Sequence, residues 1–276
     1  MARVLRKALG DLLKPEQARA VETGIDIVGD IAIVKLAETV KDQGALVGEA
    51  ILEAMKNVRA VFDQEGGLEG DFRLRRLRLL AGEGRTLTLH RENGLRFMVD
   101  VERCYFSPRL STERMRIADL AREGESVLNM FAGVGPYSIT LAKRKKAEVW
   151  SCELNEVAYG LHLENNRLNK VEPLVRTLNE DAVRLPGLVD RKFDRVLMPH
   201  PSQSDRFLPA ALAMVRRGGW IHYYRHHSGA DVAEAQRSLD DELAGVLGTR
   251  AAYTSRRVRE IGPHYVELVA DIQATG

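Results

Sequence analysis

Hydrophobic and polar residues follow two different periods along this chain. From residue 127 onward, short apolar runs alternate with stretches whose apolar residues recur at helical spacing. Repeated strand and helix alternation predicts a mostly parallel sheet with helices on both faces, and ligands bind such sheets at the carboxyl ends of the strands. The predicted strands start near 127 and 147 and cover 173–178, 194–198, 220–224 and 265–272, with helices at 156–170, 207–217 and before the last strand.

Short elements of both kinds are predicted before residue 103: a helical stretch over 3–20 interrupted at Pro15, two strands within 24–35, a helix over 45–56 and a strand over 58–62. In the next segment, the alternation of apolar and polar residues shifts by one position between Arg75 and Arg76, which predicts a bulged or irregular strand. Asn93-Gly94 predicts the turn of a hairpin. We therefore expect a small α+β domain over 1–102 and an α/β domain over 103–276.

The stretch from Val127 to Ile139 has the pattern of a strand, a tight turn and the start of a helix. Gly133 and Gly135 allow the backbone of the turn to pass close to a ligand, and the following helix points free N–H groups toward it. A single turn of this kind also occurs in ordinary α/β domains. Glu153 strengthens the ligand interpretation, because it ends the next predicted strand 20 residues after Gly133, the spacing of a carboxylate that binds ribose hydroxyls.

The turn lacks the third glycine of dinucleotide-binding sequences, which would lie near Ser138. A nucleoside without a pyrophosphate, such as S-adenosylmethionine (AdoMet), fits the turn better. We therefore predict AdoMet as the cofactor and no metal. The predicted cofactor contacts lie in the turn and at the ends of the strands: Asn129, Phe131, Gly133, Gly135, Glu153, Leu154, Asp181 and Met198.

Positive charge is clustered, although the net charge is only +2. Basic residues concentrate in two blocks, within 73–78 and at 143–146. Such clusters favour a nucleic-acid partner, and solvated charged faces explain each block about equally well.

Cys104 and Cys152 lie in segments with strand-like patterns and lack the paired spacing of metal sites. They indicate neither a disulfide framework nor a zinc site, so we expect a reducing, cytoplasmic environment. No run of about 18 apolar residues occurs, which predicts no membrane segment. We expect a cytoplasmic monomer.

Four segments of the chain resemble the archaeal and eukaryotic tRNA (guanine-N1)-methyltransferases, which methylate the guanosine at position 37 beside the anticodon. These segments are Tyr105–Arg114, Asn129–Tyr137, Glu164–Lys170 and Ile221–Tyr224. The resemblance covers 24–272 and implies a Rossmann-like class I methyltransferase domain with AdoMet as cofactor, preceded by a small RNA-binding domain. It implies tRNA as the partner, bound through the anticodon loop. The extra N-terminal domain of that family is expected to be absent, since the start of the chain resembles the family's second domain.

Matching positions imply roles for individual residues. Glu113 matches the family's proposed general base and Arg73 its catalytic arginine, while Tyr105 and Arg109 match residues near the cofactor and the target base. Methylation at guanine N1 requires removal of the N1 proton, and the charge that develops is shared with O6, so a carboxylate and an arginine suit the chemistry. Without the resemblance, Glu113 and Arg73 would be interpreted as a helix N-terminal carboxylate and a solvated strand arginine.

Two positions depart from the family pattern. Pro199-His200-Pro201 stands where the family usually has Asn-Leu-Pro, so the amide that would orient the target base is missing. We predict substrate contacts from Pro199, His200 and Pro201, with His200 or Ser202 able to supply a substitute hydrogen bond. Tyr105, Tyr137 and the 199–201 segment offer surfaces for a base turned out of its stack. Asn129 stands where relatives commonly have Asp, and its amide can still accept hydrogen bonds.

The predicted function is AdoMet-dependent formation of 1-methylguanosine at position 37 of tRNA. The first alternative is the related wyosine-pathway enzyme, which transfers the aminocarboxypropyl group of AdoMet; the missing Asn-Leu-Pro and N-terminal domain favour it. Pro108-Arg109-Leu110 and Gly135-Pro136-Tyr137 favour the methyltransferases. The second alternative is a catalytically silent RNA-binding protein, and the presence of Glu113, Arg73 and the glycine turn argues against it.

Overall fold

The computed structural model describes residues 9–10, 13–248 and 251–275. The chain divides into two compact units, Met1–Ser111 and Thr112–Gly276. The domain boundary predicted after residue 102 stays a prediction, and part of the helix predicted over 3–20 lies outside the described residues. Across the described ranges, no helix combines the length and the apolar character needed to span a membrane.

The first unit contains short helices and two small sheets. Its elements are α1 (Pro15–Gly24), β1 (Asp26–Val28), β2 (Ile31–Val34), α2 (Gly44–Ala54), β3 (Ala60–Glu69), β4 (Leu74–Gly82), β5 (Leu87–Glu92) and β6 (Leu95–Asp100), with 3₁₀ turns at Glu38–Gln43 and Pro108–Leu110. One sheet has the order β1-β2-β3-β4, in which β2 and β3 are parallel, and β5 pairs with β6 as a separate hairpin. This arrangement confirms the predicted α+β character.

Two local predictions for the first unit depended on backbone geometry. Asn93 and Gly94 have φ angles of 49° and 77°, which are the left-handed values that a two-residue hairpin turn requires. The predicted bulge is also present, because the β3–β4 register shifts opposite the Arg75–Arg76 step. The extra residues belong to β3, between Glu65 and Leu68, and not to β4 as the sequence pattern suggested.

The second unit is built around a seven-stranded sheet. Its elements are α3 (Ser111–Leu120), β7 (Ser126–Asn129), α4 (Pro136–Lys145), β8 (Glu148–Cys152), α5 (Glu156–Asn169), β9 (Val175–Leu178), α6 (Leu185–Leu188), β10 (Phe193–Met198), α7 (Ser204–Met214), β11 (Val215–Ser228), α8 (Val232–Leu247), β12 (Ala251–Gly262) and β13 (Tyr265–Ala274), with a 3₁₀ turn at Ala182–Arg184. The strand order is β12-β13-β11-β10-β7-β8-β9.

The five strands from β11 to β9 in that order are parallel, and β13 is antiparallel to both of its neighbours. Leu128, Val196 and Ile221 on the central strands are fully buried and pack with Leu239 of α8. The parallel-rich α/β sheet confirms the predicted fold class. It also places the ends of β7, β8, β9 and β10 along one edge of the sheet.

The structure corrects three details of the sequence interpretation. β12 was not predicted, because its arginines gave it the pattern of a polar loop, whereas it is an edge strand with mostly solvent-facing side chains. The helix predicted over 207–217 ends at Met214, where β11 begins. Cys104 lies outside the strands.

Candidate active site

The glycine turn between β7 and α4 depends on two left-handed residues. Gly133 and Gly135 have φ angles of 55° and 93°, and Pro136 starts α4 directly after them. A Cβ on Gly135 would lie 2.3 Å from Cδ2 of His162, which is fully buried in α5. Gly135 is therefore required by its backbone angle and by the close approach of α5.

His162 fills the space beneath this turn as an uncharged ring. Among the described residues, neither of its ring nitrogens has a hydrogen-bond partner. Burial lowers the pKa of His162 to about 3, so the imidazole is neutral at physiological pH. Its contribution to the turn is packing.

We expect Gly135→Ala to lower the free energy of unfolding by about 2 to 5 kcal/mol, since it adds left-handed strain and overpacks the contact with His162. Gly160→Ala is the matched control, because Gly160 lies exposed in α5 with no atom within 4 Å of an added Cβ. That control should be stabilising by up to about 1 kcal/mol. Urea unfolding measures both variants, and equal stability of Gly135→Ala and wild type would contradict the packing argument.

Glu153 lies at the end of β8, and its carboxylate reaches the glycine turn. Oε2 accepts a hydrogen bond of 2.6 Å from the Gly133 N–H, and Oε1 accepts one of 2.8 Å from the Asn155 N–H. Burial raises the pKa of Glu153, and the backbone donors oppose that rise. The structure therefore brings together the two residues that sequence spacing had paired.

An apolar surface and a second carboxylate continue this edge of the sheet. Leu154 is 50% exposed beside Glu153. Asp181, after β9, caps a 3₁₀ turn by accepting a 3.0 Å hydrogen bond from the Val183 N–H. Asn179 ties the two strand ends together by donating to the Glu153 carbonyl at 2.8 Å. A carboxylate suited to ribose hydroxyls next to an exposed leucine suited to a flat purine fits the nucleoside part of AdoMet.

Asn129 braces the turn from beneath. Its side chain is fully buried; Nδ2 donates to Ser138 Oγ at 3.0 Å, and Oδ1 accepts from the Phe131 N–H at 3.3 Å. Ser151 Oγ also donates to Ser138 Oγ at 2.8 Å. The amide is thus engaged within the turn, and its predicted contact with the cofactor stays a prediction.

Glu113 occupies the first turn of α3 and is only 5% exposed. Its Oε1 accepts hydrogen bonds of 2.7 Å from the Tyr224 hydroxyl and from Arg116 Nη2. Its Oε2 accepts bonds of 2.9 Å from Arg116 Nε and 2.8 Å from Arg256 Nη1. Glu113 is therefore a fixed, buried carboxylate in the first turn of its helix.

Sequence reasoning did not identify the partners of Glu113. Arg116 follows three positions later on the same helix, a spacing at which helical side chains meet, so it was accessible in principle. Arg256 lies far along the chain on a strand that was not predicted. Only the tertiary structure could bring it to Glu113.

Hydrogen-bonded charged side chains connect Glu113 with the sheet. Arg116 also donates to Asp271 at 2.6 and 3.2 Å, and His222 lies 2.5 Å from the same carboxylate. Burial opposes ionisation of Asp271, but the hydrogen bonds from His222 and Arg116 hold its pKa well below the usual range. His222 further contacts Arg195, which pairs with Glu125. The fully buried His222 is thus a hydrogen-bonded core residue.

Two buried tyrosines connect Glu113 with the helix after the glycine turn. The Tyr137 hydroxyl donates to the Tyr224 hydroxyl at 3.4 Å, and Tyr224 donates to Glu113. Burial raises the pKa of both tyrosines, so both are neutral donors. Tyr137 is only 5% exposed, which corrects the expectation that it offers a surface for a flipped base.

The segment after β10 joins an aromatic cluster. The ring of Phe131 lies 5.0 Å from His200 and 4.8 Å from Phe207, measured between ring centroids. Met198 is fully buried, and the Pro201 carbonyl accepts a 3.2 Å hydrogen bond from the His226 N–H. The predicted cofactor residue Phe131 and the predicted substrate residue His200 therefore adjoin each other, with Pro199 beside them in the chain.

Three site residues predicted from the resemblance belong to the first unit. Arg73, between β3 and β4, has a φ of 55°, and its guanidinium lies 4.5 Å from the ring centroid of Tyr105. Arg109 is 49% exposed and its Nε lies 2.6 Å from Asp26 Oδ1. A positive φ at a non-glycine residue is uncommon and tends to occur at functional positions.

In the described ranges, no group of three or more His, Cys, Asp or Glu side chains could hold a metal ion.

Two protein families match this chain. A match to the TRM5/TYW2 methyltransferase domain covers residues 88–242, and a match to the TYW2 N-terminal domain covers residues 5–86. The tRNA (guanine(37)-N(1))-methyltransferase Trm5b of Pyrococcus abyssi is 39% identical over 261 residues, spanning 94% of this chain and 77% of that protein.

Solved structures agree with the sequence matches. The complex of aTrm5 and tRNALeu superposes with a TM-score of 0.86 at 32% identity and covers 100% of this chain and 79% of that one. TYW2 of P. horikoshii in complex with MeSAdo superposes with a TM-score of 0.79 at 25% identity and covers 100% of this chain and 99% of that one. From the sequence segments, the sheet and these matches together, the chain belongs to the TRM5/TYW2 methyltransferase family.

Proposed function

We propose that this protein is an AdoMet-dependent tRNA methyltransferase that forms 1-methylguanosine at position 37. The observation that carries the proposal is Glu113, a buried carboxylate held by Tyr224, Arg116 and Arg256 in the same unit as the glycine turn. Similarity to Trm5b of P. abyssi and to the aTrm5 complex with tRNALeu supports methyl transfer to guanosine in tRNA.

The cofactor is AdoMet, and the turn at Gly133 and Gly135 holds it with Glu153 on the ribose and Leu154 and Asp181 at the adenine. When bound, AdoMet supplies the methyl group: its carbon–sulfur bond breaks as the carbon bonds to guanine N1, and the electron pair leaves with sulfur. Relatives with adenosine or AdoMet bound in their solved structures support this assignment.

Glu113 is the general base that takes the N1 proton as the new bond forms. A positioned carboxylate of this kind contributes by holding the acceptor oxygen within reach of the proton in the transition state. Phe131, His200 and the prolines beside it provide a surface for the target base. Arg73 is proposed to stabilise charge on O6; this role rests on the family resemblance, and Arg73→Lys tests it, because a lysine keeps the charge but not the planar guanidinium.

Transfer of the aminocarboxypropyl group is the second candidate. The observation that favours it is Pro199-His200-Pro201 in place of Asn-Leu-Pro, since the base-orienting amide is missing. Methyl transfer is better supported, because the methyltransferase Trm5b of P. abyssi is 39% identical and the aminocarboxypropyltransferase of P. horikoshii 31%. The loss of one buried hydrogen bond costs about 0.5 to 1.5 kcal/mol, which other contacts to the base can offset.

Incubation of unmodified tRNA with the protein and AdoMet is expected to yield 1-methylguanosine at position 37. Digestion to nucleosides and mass spectrometry identify the product, because a methyl and an aminocarboxypropyl adduct differ in mass. A transcript with adenosine at position 37 is the matched control and should stay unmodified. An aminocarboxypropyl adduct would overturn the assigned reaction, and no adduct at all would favour a silent RNA-binding relative.

We also propose that the protein acts as a monomer in the cytoplasm. Cys104 and Cys152 are buried and are not joined by a disulfide, which is compatible with a reducing compartment. The α+β unit, Met1–Ser111, is proposed to bind RNA through the basic residues of β4, where the chain resembles the family.

A further inference from the structure

The Glu113 carboxylate is fully occupied by hydrogen-bond donors. Its two oxygens accept four hydrogen bonds from Tyr224, Arg116 and Arg256, with lengths from 2.7 to 2.9 Å. An ionised carboxylate offers about four lone-pair positions. A base in this state has no position left for an incoming proton, so one donor has to leave before Glu113 can act.

Arg116 and Tyr224 are firmly held. Arg116 grips both oxygens of Glu113 and also donates to Asp271 at 2.6 Å, so its guanidinium is fixed from two sides. Tyr224 is 1% exposed and receives a hydrogen bond from Tyr137. Neither donor can move without disrupting the buried network.

Arg256 is the most exposed of the three donors. It makes a single 2.8 Å contact with Glu113 Oε2, and its side chain is 47% exposed, whereas the Glu113 side chain is 5% exposed. It lies on β12, an edge strand of the sheet. Ion pairs with a solvent-exposed partner are weak and exchange readily for other charged partners.

We propose that Arg256 is a latch on the general base, which a phosphate of the bound RNA opens. In the free protein Arg256 covers Oε2 of Glu113. A phosphodiester group of the RNA draws the exposed guanidinium away, since guanidinium groups bind phosphates in a bidentate fashion. Oε2 then becomes the acceptor for the N1 proton. This inference rests on the proposed role of Glu113, and it adds that the base becomes competent only when RNA is present.

A double-mutant cycle on RNA binding tests the latch without requiring turnover. The probe is a fluorescent anticodon stem-loop RNA with guanosine at position 37, titrated by anisotropy. Glu113→Gln removes the charge that holds Arg256, so it should bind the RNA about 2- to 5-fold more tightly than wild type. Arg256→Ala should bind more weakly and lower the slope of log K against log salt by about one. In the Arg256→Ala background, Glu113→Gln should give no gain.

Arg257 supplies the matched control. It is the neighbouring exposed arginine on β12. The hydrogen bond that Glu113 accepts from this strand comes from Arg256. In the Arg257→Ala background, the tighter binding of Glu113→Gln should persist. A latch is excluded if Glu113→Gln binds no more tightly than wild type, or if its gain survives Arg256→Ala.

Steady-state kinetics of Arg256→Ala give an independent readout that is useful even if Glu113→Gln fails to fold. The latch predicts a higher KM for RNA without a fall in kcat, and Arg256→Lys should restore part of the lost affinity. A fall in kcat at unchanged KM would mean that Arg256 only positions the base, which overturns the latch. If the wild-type protein binds RNA but forms no methylated product, the proposed function is wrong. The double-mutant cycle on RNA binding then still decides whether RNA draws Arg256 away from Glu113.

Discussion

Glu113→Gln is expected to lower methyl transfer by about 10²- to 10⁴-fold, the usual contribution of a positioned general base. Glutamine has nearly the same shape but cannot take the N1 proton. Its one carbonyl oxygen can still accept hydrogen bonds from Tyr224 and Arg116, whereas the amide nitrogen in place of Oε2 cannot accept the bond from Arg256. AdoMet affinity should be unchanged, and RNA affinity should be about 2- to 5-fold higher than that of wild type.

Single-turnover kinetics at saturating RNA and AdoMet isolate this effect from binding. Glu123→Gln is the control, because Glu123 is an exposed glutamate that follows the same helix, and it should turn over like wild type. Wild-type turnover by Glu113→Gln would remove Glu113 from the role of base. A loss of turnover that accompanies a loss of AdoMet binding would instead indicate a damaged fold.

Glu153→Ala is expected to weaken AdoMet binding by about 10- to 150-fold, equivalent to about 1.5 to 3 kcal/mol for a lost charge-assisted hydrogen bond. The variant removes the predicted acceptor for the ribose hydroxyls. It also leaves the Gly133 N–H without its 2.6 Å partner, so the turn loses order as well.

Isothermal titration calorimetry with AdoMet measures this change directly. Glu156→Ala serves as the comparison, since Glu156 is exposed in the first turn of α5, three residues further along, and should bind AdoMet normally. Binding of AdoMet by Glu153→Ala with wild-type affinity would rule out the ribose contact.

Local sequence signals predicted the parts of the site that depend on short-range geometry. The glycine turn follows from the conformational freedom of Gly133 and Gly135. The spacing to Glu153 follows from the number of residues in one turn, helix and strand. Both features are present. Asn93-Gly94 specified its hairpin for the same reason.

Interactions between distant segments could not be predicted in this way. Arg256 meets Glu113 across 143 positions of sequence. It lies on a strand whose exposed arginines hide the strand pattern, because an edge strand needs no apolar residues on a face that meets water. The burial of Tyr137 was missed as well, since an aromatic residue at a helix start fits either a ligand surface or the core.

The hydrogen-bonded pair of Tyr137 and Tyr224 provides a short buried path through the second unit. Tyr137 follows the glycine turn by two residues, and Tyr224 donates to Glu113, so two side chains separate the glycine turn from the proposed base. Groups joined through such a short buried path have non-additive mutational effects. We therefore expect the proposed cofactor binding and proton removal to be coupled, so that a substitution in the turn also changes the rate of the proton-removal step.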